Sequence, residues 1–204
     1  MDTLAYFLEK FPVDLATPSP FKLSISREIE IPKIFAELGF KTGAEIGVYR
    51  GGYSEVLLKG IPGLKLYGID LWELYPGYRD YRRSDITEAY TEAVARTKDY
   101  NCELIKGWSG EVVRQIPDNS LDFVYIDGNH AYEYTVQDIA LWSRKVRPGG
   151  IVYGHDFEDW SHNWRRFDMN VINAVTGWCN SYQIHPWFII AKDKHPSWLY
   201  IKKA

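Results

Sequence analysis

The chain has 204 residues, 46% hydrophobic and 25% charged, with 24 Lys and Arg against 27 Asp and Glu. That describes one globular domain, at most with a small added cap, and excludes a disordered chain. No apolar run reaches the roughly 18 residues of a membrane span, and a net charge of -3 supplies no basic face for nucleic acid. Met1-Asp2-Thr3-Leu4 lacks the basic and apolar stretches of a secretory leader, so the expected location is cytoplasmic. Cys102 and Cys179 lie far apart without CxxC spacing and read as buried free thiols, not as a disulfide or a zinc knuckle.

Residues 1–41 read as a helical or irregular extension or cap, with Ile29, Ile34, Phe35 and Leu38 forming an amphipathic stripe around Pro32. From residue 42 to 204, short apolar runs alternate with helix-period segments, the pattern of a mostly parallel sheet with helices on both faces. Ala44 to Val48 reads as the first strand of this α/β unit, Tyr53 to Lys59 as a short helix and Leu64 to Leu71 as the second strand. Ser84 to Lys98 carries Ile86, Ala89, Tyr90, Ala93 and Val94 at helical spacing, with Ser84 as cap, and Cys102 to Lys106 follows as a strand. Leu121 to Asp127 is a buried strand after the turn Pro117-Asp118-Asn119-Ser120. Tyr132 to Val146 places Tyr132, Val136, Ile139, Ala140, Ser143 and Val146 on one helical stripe, stopped by Arg147-Pro148-Gly149-Gly150. Ile151 to Tyr153 is a strand and Val171 to Cys179 a helix. His185 to Ala191 and Trp198 to Lys202 are strands too close for a crossover helix, so they form an antiparallel pair.

In an open α/β sheet ligands bind beyond the carboxyl ends of the strands, so the residues after each strand are the candidates. The first strand delivers Glu45, then Gly47, Tyr49, Gly51, Gly52 and Ser54. The glycines allow a tight turn or a close approach to a ligand, but the G-x3-G-G spacing is neither GxGxxG nor a P-loop. Asp70 ends the second strand, where a carboxylate can accept from both hydroxyls of a ribose. After the third strand, Trp108 could face an adenine ring, and Ser109 could bond its edge or cap the next helix, with Glu111 in the first turn. The fourth and fifth strands end in Asp127-Gly128-Asn129-His130 and Gly154-His155-Asp156. If these strands are neighbours, Asp127, His130, His155 and Asp156 converge as a metal or acid/base site.

The run Glu45-Ile46-Gly47-Val48-Tyr49-Arg50-Gly51-Gly52, with Gly68-Ile69-Asp70, Ile126 to Tyr132, Arg147 to Gly150 and Gly154-His155-Asp156, resembles class I S-adenosylmethionine-dependent methyltransferases. The most similar branch is the small-molecule and sugar O-methyltransferases, with their macrocin O-methyltransferase and cephalosporin hydroxylase relatives. The resemblance implies a Rossmann-like sheet ending in the antiparallel pair. It also implies S-adenosylmethionine as cofactor: Glu45 and the loop Gly47 to Gly52 around the methionine part, Asp70 on the ribose, Ser109 near the adenine and Asp127 near the transferred methyl. In metal-dependent members, an acid after the fourth strand and a pair of acids after the fifth bind Mg2+. The positions here are Asp127, His155 and Asp156, and the imidazole favours zinc, iron or manganese over Mg2+.

Without a metal, His130 or His155 is the base, His130 leading. The segments 72–83 and 157–166 interleave aromatics with cations and suit a carbohydrate, an aromatic ring or an anionic small molecule, or else a lid or homo-oligomer interface. A nicotinamide-dependent oxidoreductase and a catalytically silent cofactor-binding module are the alternatives.

Overall fold

The computed structural model describes residues 2–75, 83–160 and 169–203. It holds one eight-stranded sheet in the order β1-β7-β8-β6-β5-β2-β3-β4. The strands are β1 (Phe21–Leu23), β2 (Thr42–Ile46), β3 (Lys65–Asp70), β4 (Cys102–Lys106), β5 (Leu121–Ile126), β6 (Val146–Gly154), β7 (Trp187–Ile190) and β8 (Ser197–Ile201). The helices are α1 (Thr3–Lys10), α2 (Arg27–Glu37), α3 (Gly52–Gly60), α4 (Arg83–Thr97), α5 (Ser109–Val112), α6 (Tyr132–Trp142) and α7 (Val171–Ser181). Among the described residues no helix is long and apolar enough to cross a membrane.

Period-two alternation sorts the side chains to the two faces. On β5, Val124 and Ile126 pack with Ile139 and Trp142 of α6 and Val171, Val175 and Cys179 of α7. Phe123 and Tyr125 pack on the other face, with Phe7 of α1, Ile31, Ile34 and Phe35 of α2, and Tyr53 and Leu57 of α3. Helices therefore cover both faces, as the alternating pattern implies. The antiparallel ending is also present: β8 runs antiparallel to both β7 and β6, while the remaining pairings are parallel.

The structure corrects several local readings. Residues 1–41 contain a strand, since β1 pairs parallel with β7 (Phe21 opposite Phe188, Leu23 opposite Ile190). Three residues behind Pro20 are too few to show a period. The buried stripe of α2 is Ile31, Ile34 and Phe35, with Ile29 51% exposed, because the helix starts at Arg27 and this phase faces the sheet.

Helix α6 stops at Trp142 and buries Thr135, Asp138, Ile139 and Trp142, leaving Tyr132 46% exposed. Val146 belongs to β6. Arg147-Pro148-Gly149-Gly150 lies within that strand as an irregularity between the pairs Leu121–Val146 and Phe123–Ile151. Arg147 Nε is held by Asp122 at 2.7 Å, and Asp122 also accepts from the Lys41 and Thr42 amides at 2.6 and 2.9 Å. A strand pinned this way reads locally as a turn. Cys179 is buried, Cys102 is half-buried, and both are free. The side chain of Ser84, read as a cap, lies outside the described residues.

Phe35 shows how far the first 41 residues enter the core. Its ring lies 4.7 Å from Phe123, 5.1 Å from Phe40 and 5.4 Å from Tyr153. Phe35→Ala is expected to cost about 3–5 kcal/mol of unfolding free energy in urea titration. A loss below about 1 kcal/mol would mean that this segment is only loosely applied.

Candidate functional site

Strand β2 pairs with β3 on one side and β5 on the other, so the winding direction reverses between β2 and β5. The crevice beyond the carboxyl ends at such a point is the expected ligand site. A cavity of about 920 Å³ opens there, lined by the residues that follow β2, β3, β4, β5 and β6. It is within the size range of small-ligand sites.

Gly47 makes the crevice possible. Its φ is +90°, and a Cβ there would lie 2.0 Å from the Asp127 carbonyl oxygen. Gly51, at φ +73°, starts α3, and its missing Cβ makes room for Ala93. Between them Tyr49 takes a positive φ of 50°. Its amide donates to Asp70 Oδ2 at 2.8 Å, while the Trp72 amide donates to Asp70 Oδ1 at 2.8 Å. Asp70 thus shapes the loop. Burial raises its pKa against these amide bonds.

Glu45 lies inside this wall. Ser54 on α3 donates a short hydrogen bond to its Oε2. Burial pushes the Glu45 carboxyl up to about 8, against the opposing effects of Ser54 and Arg27. At neutral pH the acid is therefore largely protonated.

At the far end, Trp108 is 38% exposed and meets Tyr75 edge-on at 4.6 Å. Ser109 does not cap α5: it is the first helical residue, and its hydroxyl donates to Asp138 Oδ1 at 2.5 Å. Glu111 does sit in the first turn of α5. Burial pushes Asp138 up to about 6, opposed by that hydrogen bond. Asp138 lines the cavity with Gln137 and Tyr134. It was missed because a buried acid on an amphipathic helix reads as a solvent-facing one.

Strands β5 and β6 are neighbours, so their tips converge. His130 Nε2 lies 3.1 Å from Asp127 Oδ1 and 3.1 Å from Asp156 Oδ2. His155 Nδ1 stands 3.4 Å from Asp156 Oδ2 and 3.8 Å from Asp127 Oδ1. Burial disfavours the Asp127 carboxylate, but the His130 hydrogen bond and the nearby imidazoles outweigh it and lower the pKa. Asp156 is held at about 2 for the same reason, with the His155 hydrogen bond the largest favourable contribution. Asp156 takes a positive φ of 52°, is buried, and lines the cavity. Asp127, His130 and Asp156 bring three ligand atoms within 4.8 Å of one another.

Arg27 and His195 also line the crevice without having been anticipated. Arg27 enters from the start of α2, and His195 from the loop between β7 and β8. His195 Nδ1 lies 2.7 Å from Glu158 Oε2, and its ring is 5.4 Å from Trp160. The residues that follow the strand at 185–191 include His195, so the same strand-end rule flags it. Arg27 had no such signal, because β1 was not visible. Of the two segments read as acceptor surfaces, residues 76–82 and 161–168 lie outside the described residues.

Residues 44–157, more than half the chain, match a family described as a methyltransferase domain. A curated relative, uncharacterized protein R132 of Acanthamoeba polyphaga mimivirus, is 24% identical over 138 residues. That match covers 66% of this chain, and the chain spans 58% of the relative's length. Among solved structures, a protein assigned as a caffeoyl-CoA O-methyltransferase from Staphylococcus aureus superposes with a TM-score of 0.63 at 15% identity, over 97% of this chain and 90% of that one. MycE methyltransferase of the mycinamycin biosynthetic pathway, in complex with Mg and SAH, gives 0.55 at 17% identity, over 84% and 47%. N-methyltransferase NodS from Bradyrhizobium japonicum gives 0.56 at 14%, over 86% and 94%. These structures share the fold.

Two substitutions check the local geometry. Gly47→Ala is expected to cost about 1–3 kcal/mol for the backbone conformation alone, before its clash with Asp127. Gly52→Ala, whose Cβ would meet nothing within 4 Å, is expected to stay within about 0.5 kcal/mol of the parent in the same denaturation assay. Equal losses would remove the close-approach argument.

The raised Glu45 carboxyl also sets a slope in stability against pH. The folded state keeps the proton to about 8, whereas the unfolded side chain releases it near 4.5. Unfolding therefore releases a proton between these values, and stability from this group is present below about 4.5 and lost as pH rises toward 8. Glu45→Gln is expected to flatten that decline in thermal midpoints measured from pH 5 to 8. An unchanged slope would place the proton elsewhere.

Proposed function

We propose that this chain, which belongs to the methyltransferase-domain family, transfers a methyl group from S-adenosylmethionine to a hydroxyl of a small-molecule or carbohydrate acceptor. The observation that carries the reading is the single crevice at the sheet's reversal point. It joins the glycine loop and Asp70 on one wall to the Asp127, His130, His155 and Asp156 cluster on the next. The Mg and SAH named for the MycE structure support the same reading.

The cavity has the parts for an adenosine-bearing donor. Asp70 offers carboxylate oxygens to a ribose, and Trp108, Ser109 and Asp138 line the end suited to an aromatic base. Glu45, backed by the buried Ser54, and the loop from Gly47 to Gly52 form the end suited to a methionine ammonium and carboxylate. A buried glutamic acid that is neutral when the crevice is empty can ionise against an incoming ammonium without leaving an uncompensated charge in the unliganded protein.

Methyl transfer is an in-line displacement, so the protein must orient the acceptor oxygen and accept its proton. Asp127 and Asp156 stand where they can orient a hydroxyl. His155 is the less constrained imidazole of the pair, since His130 Nε2 lies 3.1 Å from both carboxylates. This favours His155 as the proton acceptor and His130 as a group that orders the acids.

The cluster also fits a divalent cation: two carboxylates and an imidazole within 4.8 Å make a mixed oxygen and nitrogen donor set. Asp127, Asp156 and His130 would hold it, with His155 beside them. A bound divalent ion supplies Lewis acidity that lowers the pKa of a coordinated hydroxyl. At the rim, the pair Tyr75 and Tyr134 and the pair Trp160 and His195 give aromatic surfaces on which a sugar or planar ring can lie.

Thermal unfolding with S-adenosylhomocysteine, with NAD, and with each plus Mn2+, Mg2+ or EDTA tests the reading. At a hundredfold excess over Kd, S-adenosylhomocysteine is expected to add about 2.7 kcal/mol, a rise in midpoint of about 5–10 °C. A rise with NAD alone would assign the crevice to a different chemistry. Transfer from radiolabelled S-adenosylmethionine to a panel of phenols, catechols and glycosides is then expected to fall about 10²–10⁴-fold in His155→Ala and Asp156→Ala while S-adenosylhomocysteine binding stays within threefold. Full transfer in both variants would remove the cluster from the mechanism.

A further inference from the structure

Arg27 is a cation only 8% exposed, set among apolar and aromatic side chains and outside the residues shared with the methyltransferase-domain family. Strand β1 explains how it gets there. Being parallel to β7, β1 points its carboxyl end to the same side of the sheet as the crevice. The chain beyond it is tied down by the Ala191 amide on the Leu23 carbonyl at 2.9 Å and the Lys192 amide on the Ile25 carbonyl at 3.2 Å. The Arg27 amide then donates to Asp193 Oδ2 at 2.6 Å, which fixes the first turn of α2.

The side chain reaches the crevice wall. Its guanidinium carbon sits 4.1 Å from the Tyr53 ring centroid, and Nη1 donates a short hydrogen bond to the Tyr125 hydroxyl. Among the described residues its one carboxylate contact, Glu28 at 3.5 Å, is long and exposed. Tyr125 in turn donates to Asp127 Oδ2 at 2.9 Å, leaving Oδ1 toward His130. A cation on the phenol oxygen polarises its O–H and strengthens the bond to the acid. Burying a guanidinium is costly, and an apolar side chain would suit this part of the core better for stability alone.

We propose that Arg27 is a positioning residue for methyl transfer, acting through Tyr125 to fix the rotamer of Asp127, and that β1 and the first turn of α2 complete the site. The inference rests on the methyltransferase reading only for its kinetic consequence.

The test uses the full chain and the variants Arg27→Met, Arg27→Lys, Tyr125→Phe and the Arg27→Met/Tyr125→Phe double. Crystal structures with S-adenosylhomocysteine read the rotamer, and steady-state transfer to the acceptor from the panel reads the consequence. In Arg27→Met and Tyr125→Phe the Asp127 carboxylate is expected to turn out of hydrogen-bond reach of His130, with kcat down about 10–100-fold and KM for S-adenosylmethionine within threefold. Arg27→Lys is expected to regain part of kcat, and the double variant to be no worse than the worse single one. Asp127 unmoved in Arg27→Met, or losses that multiply in the double variant, would overturn the relay. If Arg27→Met does not fold, Arg27→Lys and Tyr125→Phe carry the same comparison. A parent protein that transfers to no acceptor counts against the methyltransferase reading, and the rotamer comparison still decides the relay.

Discussion

Two backbone segments share a space at the sheet's reversal point that admits no side chain between them. The chain leaving β2 at Gly47 passes the chain leaving β5 at Asp127 so closely that a Cβ would lie 2.0 Å from the Asp127 carbonyl oxygen. Backbone bonds hold the approach: Gly47 to the Ile69 carbonyl at 2.8 Å, Asp127 to the Ile46 carbonyl at 2.8 Å and His155 to the Ile126 carbonyl at 3.2 Å. Four adjacent tips are thereby locked in register, and the groups they carry become a fixed constellation. Asp70, Asp127 and Asp156 owe their relative positions to this lacing.

Within that frame, charge decides which acids ionise. Glu45 is fully buried and Asp127 is half-buried, and their carboxyls shift in opposite directions. Glu45 has mainly the Ser54 hydroxyl to support a negative charge, and burial prevails. Asp127 has the imidazoles of His130 and His155, and their support prevails over desolvation. The crevice therefore holds a neutral acid at one end and ionised acids at the other. Such a division suits a ligand whose cationic centre and reacting oxygen lie at different depths.

The sheet from β2 to β6 was readable because each strand is a short apolar run with turn residues after it, and a parallel sheet puts its chemistry in those turns. Asp70, Asp127 and Asp156 follow from that rule without any coordinates. The helix boundary at Trp142 was misread because Val146 continues an apolar phase that tertiary pairing with Leu121 claims for the sheet. Ser109 looked like a cap because position and residue type fit one, whereas Asp138, 29 residues away, offers its hydroxyl a stronger acceptor. Arg27 was invisible for a different reason: a three-residue edge strand has no period of its own and exists only because Phe188 to Ile190 are there to pair with it.

The reversed strand β8 accounts for the reach of that edge. Inserting β8 antiparallel between β6 and β7 restores β7, and with it β1, to the direction of the main sheet. A short loop then suffices to bring His195 back over the β6 tip, where its ring lies 6.2 Å from that of His155. The chain after β1 crosses the same end of the sheet to place Arg27 against Tyr125. One reversal in strand direction thus gives the crevice walls on both sides of the acid cluster, one from each end of the chain.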